Sequence, residues 1–378
     1  MAQPIYNNNN VYILGAGFSA DARVPVVQHF LTKMRDSVDW LQSAQPRNAS
    51  QRLKHTEDVF RFRQEASAAA YRVNINVEDI EQLFSLASAT EASAFDDSII
   101  ESIASTIDYS VKTATQDHLD LLIPRDSLPA FPRSEITGPA EEERVASRVP
   151  RYDLYTGSLL GLRSPSSINT RKPSENVFIT FNYDTVLEES IWNLNLKVNY
   201  GLKRAGYEDF TLFDASDGVP VLKLHGSVNW TQPGTSGQQL KVFRDYDSSL
   251  PSNLGHILLP PTWQKTFHGP LQSIWDQAVS AISQATRIII IGFSIPETDI
   301  HFKYLLSAGL QKNISLRKIL FVNPLRENEF RPRLNKIFHQ PFIHSDNLQH
   351  FSINVESFVT DLNCMLTIGR GYDPTTLK

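Results

Sequence analysis

The sequence predicts an α/β protein, a parallel sheet with helices on both faces and an inserted helical module. Three observations carry that prediction. The segments "VYILG" at 11–15, "VFITF" at 177–181 and "RIIIIGF" at 287–293 are nearly continuous apolar runs, each followed at once by small or polar residues and then by a helix-like pattern. Strands buried on both faces read this way, because both alternating sets of side chains need apolar surroundings. A fourth run, "KILFVN" at 318–323, follows the third after one helix length, "ETDIHFKYLLSAGL", which is the spacing of a βαβ unit. Finally, the first and second strands are separated by more than a hundred residues without strand character.

That intervening stretch supplies the module. From Asp39 to about Leu122 the pattern is helical; in "VEDIEQLFSLAS", Ile80, Leu83, Phe84 and Leu86 share a face with Val77. From Pro124 to Pro150 the chain turns rich in Pro and charge and reads as an exposed loop. The expected organisation is a sheet domain from 11–40 plus 151–345, an inserted helical module and loop at 41–150, and a C-terminal helix and tail at 346–378.

Composition narrows the function. A chain of 378 residues with 41% hydrophobic residues can bury one large core or two modest ones. Lys plus Arg total 36 against 41 Asp plus Glu, a formal charge of -5, unlike the basic footprint of a dedicated nucleic-acid binder, so direct nucleic-acid binding is not expected. One cysteine, Cys364, allows neither an internal disulfide nor a four-cysteine zinc site, and no metal site is expected. The amino terminus lacks the basic start and apolar stretch of a signal peptide, and no run reaches the length of a membrane span, so a soluble cytoplasmic protein is expected.

The chemistry-bearing motifs sit where the strands end. "GAGFSA" fits G-x-G-x-x-A, the dinucleotide fingerprint of Rossmann-like sheets: Gly15 for the tight turn, Gly17 for close approach of a pyrophosphate, Ala20 for helix–sheet packing, with a helix expected to follow. The same residues also suit a bare turn. A dehydrogenase would place an acid at the end of a second strand about 20 residues on; "LTKMRDSVDW" has acids but no strand, which weighs against hydride transfer. "ITFNYDT" puts Asn182 and Asp184 just past a buried strand, either lining a ligand or, respectively, closing a turn and capping the next helix. "VLKLHGSVNW" presents His225 beside Gly226, as a catalyst or as a structural hydrogen bonder. "IIIIGFSIPETD" interrupts a strand with Gly292 and Ser294 and opens a helix with Pro296 and Glu297, and "ILFVNP" places Asn323 at the corresponding edge. Five such edges on one sheet describe a long cleft suited to a dinucleotide.

The ordered set resembles the sirtuin family: G-A-G-x-S at Gly15, Ala16, Gly17 and Ser19 around Phe18, then Pro25, T-x-N-x-D at Thr180, Asn182 and Asp184 around Phe181, His225-Gly226, G-x-S at Gly292, Phe293 and Ser294, and Asn323. The likeness covers about residues 11 to 325 and leaves the inserted module unmatched. It implies that the first loop holds the NAD pyrophosphate, that Asn182 and Asp184 line the nicotinamide-ribose pocket, that His225 contacts that ribose, and that Ser294 and Asn323 hold the adenosine half. Protein deacylases of the family carry a cysteine zinc module and an Asp-Phe-Arg run after the Pro; here there is one Cys, and Val26, Val27 and Gln28 stand after Pro25. "TFNYD", "LKLHGSVNW", "LLPPTW" and "IGFSIPETD" look more like the bacterial sirtuin-like effectors of anti-phage defence.

What that second likeness implies is NAD glycohydrolase activity with NAD as substrate and no metal, abortive infection by NAD depletion, homo-oligomer assembly, and a defence partner such as a HerA-type ATPase or an Argonaute. Asn182, His225 and Asp184 are the expected catalytic residues, Asp184 either stabilising a cationic ribose or holding its loop. The helices from about 40 to 125, or the end from about 345 to 378, are candidate contact surfaces, though their apolar faces suit an ordinary core equally. The alternatives are NAD-dependent deacylation or ADP-ribosyl transfer, and a non-catalytic sensor or scaffold that binds NAD or ADP-ribose.

Overall fold

The computed structural model describes residues 9–90, 94–116, 122–124, 148–162, 176–202, 215–232, 240–250, 255–262, 269–295 and 300–367. Its strands are β1 (Asn10–Leu14), β2 (Leu122–Pro124), β3 (Arg148–Pro150), β4 (Asn176–Thr180), β5 (Val198–Asn199), β6 (Val219–Lys223), β7 (Gly226–Gln232), β8 (Lys241–Val242), β9 (Gly255–Leu258), β10 (Arg287–Ile291), β11 (Lys318–Val322) and β12 (Leu348–Phe351). Seven of them form one sheet in the order β12-β11-β10-β1-β4-β6-β5, every neighbouring pair parallel. This is a Rossmann-like α/β fold.

The continuous apolar runs are explained by burial on both faces. Successive strand residues point to opposite sides, yet Val11 to Leu14 and Ile288 to Ile291 are all at most 1% exposed. Tyr12 fits this surrounding because its hydroxyl donates to the Leu159 carbonyl at 2.8 Å. From β1 the chain goes to β4 on one side and later crosses back to β10 on the other. The strand order therefore reverses between β1 and β10, and open α/β sheets present their ligand crevice at that edge.

The helices are α1 (Phe30–Ser43), α2 (Ala49–Arg72), α3 (Ile80–Thr90), α4 (Ala94–Gln116), α5 (Arg151–Leu159), α6 (Val186–Asn193), α7 (Tyr246–Ser249), α8 (Pro270–Gln284), α9 (Ile300–Leu310), α10 (Glu327–Leu334), α11 (Gln340–Ile343) and α12 (Val355–Thr367). Helices α1 to α4 bury a second core of their own, around Phe30, Met34, Val59, Leu83, Phe84 and Ile103. In α3 the buried face is Ile80, Leu83, Phe84 and Ala87, with Leu86 only half-buried at its margin. An antiparallel sheet, β8-β7-β9, lends Val228 and Leu258 to this helical core and Trp230 to the main one, so it ties the module to the sheet domain.

Several features differ from the sequence expectations. The glycine loop leads not into an α-helix but into single 3-10 turns, Ala16–Phe18, Ala20–Ala22 and Val27–His29, before α1 begins at Phe30. Arg23 in the left-handed region, with φ of 60°, and Pro25 just after it stop propagation, since proline lacks an N–H and restricts the residue before it. Because Phe30, Leu31 and Met34 face the helical core, that core starts ahead of residue 41. Beyond 345 the chain still belongs to the sheet domain: β12 is the sheet's outer strand, and Val355, Phe358, Val359 and Leu362 of α12 are buried in the main core. Most of the Pro-rich loop, 125–147, lies outside the described residues, as do Pro296 and Glu297; at the ends of that loop β2 and β3 pair antiparallel.

Candidate active site

The glycines that end β1 and β10 meet each other. Gly15 N–H donates to Ile291 O at 3.0 Å and Gly17 N–H to Gly292 O at 2.9 Å. A Cβ on Gly17 would lie 2.8 Å from Gly292 O, and one on Gly292 would lie 2.3 Å from Phe18 N, with φ of +67° adding strain. The bare backbone thus first serves contact between two loops at the switch point. Phe18 N–H and Ser19 N–H close back on Gly15 O and Ala16 O, so among the described residues Ala16 and Ala20 keep the loop's remaining N–H donors. A phosphate held here would use those groups, without an α-helix terminus behind them.

Asn182 joins this junction to β4. Its Nδ2 donates to Gly15 O at 3.0 Å and to Ser19 Oγ at 3.1 Å, and its backbone N–H donates to Thr180 Oγ1 at 3.0 Å. Thr180 Oγ1 in turn donates to Leu14 O at 3.1 Å. Since a carbonyl can only accept, Gly15 fixes which end of the Asn182 amide is nitrogen. The half-buried Asn182 Oδ1 then has no partner among the described residues, and stands as an acceptor held from behind.

The hydrogen-bond direction runs on from Ser19, whose Oγ donates to Asp184 Oδ1 at 3.0 Å, while Val186 N–H donates to the same oxygen at 3.1 Å. Asp184 is 4% exposed. Burial pushes its carboxyl up, opposed by Lys223 and by these bonds. Asp184 accordingly caps the first turn of α6 and braces the Ser19 loop.

His225 is 5% exposed, in the turn between β6 and β7. Its carbonyl accepts from Leu259 N–H at 2.9 Å, and Gly226 follows at φ of +81°, where a Cβ would lie 2.0 Å from Ile257 O. Only glycine fits there, so Gly226 is a steric requirement of the turn. The imidazole stands edge-on to Phe181, with ring centroids 5.1 Å apart, and tilted toward Tyr183 at 6.1 Å. Phe181 also packs against Phe293 at 5.3 Å and Trp275 at 6.3 Å, making it the hub between the β4, β6 and β10 edges.

The β11 edge is used structurally. Asn323 Nδ2 donates to Phe293 O at 3.1 Å and its Oδ1 accepts from Leu325 N–H at 2.9 Å, so both ends of the amide are engaged. Ser294 is exposed beside it and lends its carbonyl to Arg333 at 2.7 Å. Pro25 is buried past the second 3-10 turn, and among the described residues no hydrogen bond joins it to the Asn182 network. Phe18 is buried, its carbonyl accepting from Tyr152 Oη at 2.8 Å, and Ala22 N–H donates to that same hydroxyl at 3.1 Å.

Sequence reasoning missed the groups beneath the loop. Lys223, fully buried on β6, donates to the Asp184 carbonyl and to Glu188 Oε1 at 2.8 Å. The signal was present in "VLKLHG" and "LEES": a lysine inside a buried strand and a glutamate on an apolar helix face need partners. Tyr152, which braces the first loop, carried no such signal.

A Rossmann-like α/β domain with strand-end loops gathered at its switch point is the class that this fold and site define. Residues 176–342 match the family model described as SIR2-like domain, a stretch that spans β4 to β11 of the Rossmann-like sheet. No curated protein matches the sequence. Among solved structures, the chain is similar to a Sir2 homologue in complex with NAD, at 12% identity over 96% of this chain and 90% of that one, with a TM-score of 0.38. It is likewise similar to a mutant Sir2 homologue in complex with ADP-ribose, at 12% identity over 98% of each chain and a TM-score of 0.38. Sir2Tm bound to a propionylated peptide matches at 12% identity over 96% of this chain and 94% of that one, with a TM-score of 0.37.

Proposed function

We propose that the protein is an NAD glycohydrolase, cleaving NAD to nicotinamide and ADP-ribose, and that it acts as an effector of anti-phage defence by depleting the nucleotide. The observation that carries this reading is the amide of Asn182, whose two hydrogens are held by Gly15 O and Ser19 Oγ so that Oδ1 is left as an oriented acceptor. The SIR2-like match over residues 176–342 supports NAD as the molecule placed against it.

Hydrolysis breaks the bond between C1′ of the ribose and the nicotinamide nitrogen, the electron pair leaving with a neutral pyridine. No proton is needed on the leaving group; the cost is positive charge on the ribose, met by oriented oxygen dipoles and a positioned water. Asn182 Oδ1 accepts from that water or from a ribose hydroxyl. The water oxygen bonds to C1′ as its proton passes, through the ribose hydroxyl that His225 bonds, to the His225 imidazole. Asp184 holds the loop, which its bonds to Ser19 and Val186 favour over a direct role.

Destroying NAD would harm an uninfected cell, so the reading includes restraint by homo-oligomer assembly or by a partner such as a HerA-type ATPase or an Argonaute, in the cytoplasm. A second reading, a non-catalytic NAD or ADP-ribose binder, is favoured by Asn323 and Asp184 being engaged within the protein. Incubating the purified protein with NAD and following free nicotinamide, with and without an acceptor protein and candidate partners, separates the readings. Release without acceptor supports hydrolysis, release only with acceptor indicates transfer or deacylation, and saturable binding without release indicates a sensor.

A further inference from the structure

We propose that Lys223 is a positioning residue that fixes the Asn182 loop relative to His225, acting through a fully buried ion pair with Glu188. Lys223 is the last residue of β6, two positions before His225, and its side chain is 1% exposed, as is that of Glu188. Its Nζ donates to the carbonyl of Asp184, at the far end of the loop that carries Asn182, and to Glu188 Oε1 at 2.8 Å on the helix after that loop. The strand that delivers His225 therefore grips the loop that delivers Asn182 by a side chain as well as by the ladder bond from Leu224 N–H to Thr180 O at 2.9 Å.

Burying this pair is costly for the fold. An ion taken out of water loses its hydration, and replacing a buried pair with apolar residues of similar volume is often neutral or stabilising. Burial pushes the Glu188 carboxyl up against the opposing pull of Lys223. Tyr200 Oη reaches Glu188 Oε1 at 3.5 Å and Asn229 Nδ2 reaches Tyr200 Oη at 3.4 Å, so the polar groups around the pair are organised rather than incidental. The Asp184 carbonyl is what an apolar filler cannot satisfy. A pair kept for stability alone would not need to aim its ammonium at that loop.

The test replaces both charges, as Lys223→Met with Glu188→Met, so that no unpaired ion is left in the core. The proposal's kinetic arm rests on the NAD glycohydrolase reading; its exchange arm rests on geometry alone. Expected are a urea midpoint at or above that of the native protein, amide hydrogen exchange over residues 181–186 faster by about tenfold while residues 11–14 stay protected, and kcat for nicotinamide release down by about 10–100-fold with KM little changed. Native exchange at 181–186, or native kcat with a restored fold, overturns the proposal. A native protein that never turns over NAD defeats the NAD reading and leaves the exchange arm to decide this one. Should the double variant fail to fold, Lys223→Met with Glu188→Gln, which leaves no ion in the core and keeps an acceptor for Tyr200, is compared within one molecule: faster exchange confined to 181–186 supports the role, and equal loss at 11–14 overturns it.

Discussion

The amide nitrogen of Asn182 donates to the carbonyl of Gly15 at 3.0 Å, joining the loops that end two neighbouring parallel strands. Gly15 in turn donates to Ile291 of the strand on its other side at 3.0 Å. One residue of the glycine loop thus sits between the edge offering a polar acceptor and the edge offering Gly292 and Phe293. The geometry of Asn182 and the packing of the glycines are consequently coupled, and each makes a separate prediction.

Replacing Asn182 by Ala should lower the rate of nicotinamide release by about 10²-fold, the scale of one oriented hydrogen-bonding group in a reacting site, while the protein stays folded. Asn182→Asp should be worse for stability, because it sets a carboxylate oxygen against the Gly15 carbonyl in place of a donor. Steady-state kinetics and circular dichroism on both variants decide it. Near-native turnover by the folded Asn182→Ala protein would remove Asn182 from the mechanism.

Gly292→Ala should be among the most damaging single-methyl changes in the chain. The new Cβ would meet Phe18 N at 2.3 Å and Gly17 C at 2.5 Å, all backbone with nothing flexible to yield, and at a φ of +67°. Loss of about 2–4 kcal/mol or failure to fold is expected, the range for overpacking combined with a disfavoured backbone region. Gly255→Ala, whose Cβ would sit 3.9 Å from Gln232 O, serves as the tolerated control. Urea midpoints of the two variants should differ clearly.

The central strands and their polar ends are legible in the sequence because Ile288 to Ile291 and Val11 to Leu14 need apolar cover on both sides, which writes itself into composition. That Gly17 and Gly292 face each other is not, since their two loops meet only through the crossover back to β10. In β7 the alternation of Val228 and Trp230 with Ser227, Asn229 and Thr231 reads as a strand with one solvent-facing side, yet those three polar residues are fully buried, which the local pattern does not show. Lys223 inside an apolar run signals a buried charge but not which groups meet it, and the half-polar "LQHF" of β12 resembles a tail. In each case tertiary packing supplies the partner that the local pattern lacks.

His256→Ala should loosen the helical module from the sheet domain. Its Nδ1 lies 2.6 Å from Glu101 Oε1 on α4, its Nε2 lies 2.9 Å from Ser249 Oγ, and the ring packs on Tyr246 with centroids 5.0 Å apart. Truncation leaves a cavity and takes one partner each from the buried Ser249 hydroxyl and the half-buried Glu101 carboxylate, a loss of about 2–4 kcal/mol. Limited proteolysis should then cut within α1 to α4 sooner than within the sheet, and unchanged cleavage would show that the apolar contacts alone hold the module.

Stability should fall as pH rises toward neutrality through Asp153. This α5 carboxyl is 7% exposed, and burial pushes it up to about 7 from 3.8, with the Asn193 amide at 3.2 Å opposing and Glu189 adding to the rise. The folded protein therefore holds a proton that the unfolded chain releases near pH 4, so the contribution is fully present below that value and is lost as pH climbs through about 7. The loss is on the order of a few kcal/mol. Asp153→Asn keeps the shape and an acceptor for Asn193 but cannot ionise. Its urea midpoint should match that of the native protein at pH 4, exceed it at pH 8, and vary less between the two; parallel pH curves for the two proteins would mean that Asp153 is ionised in the fold without penalty.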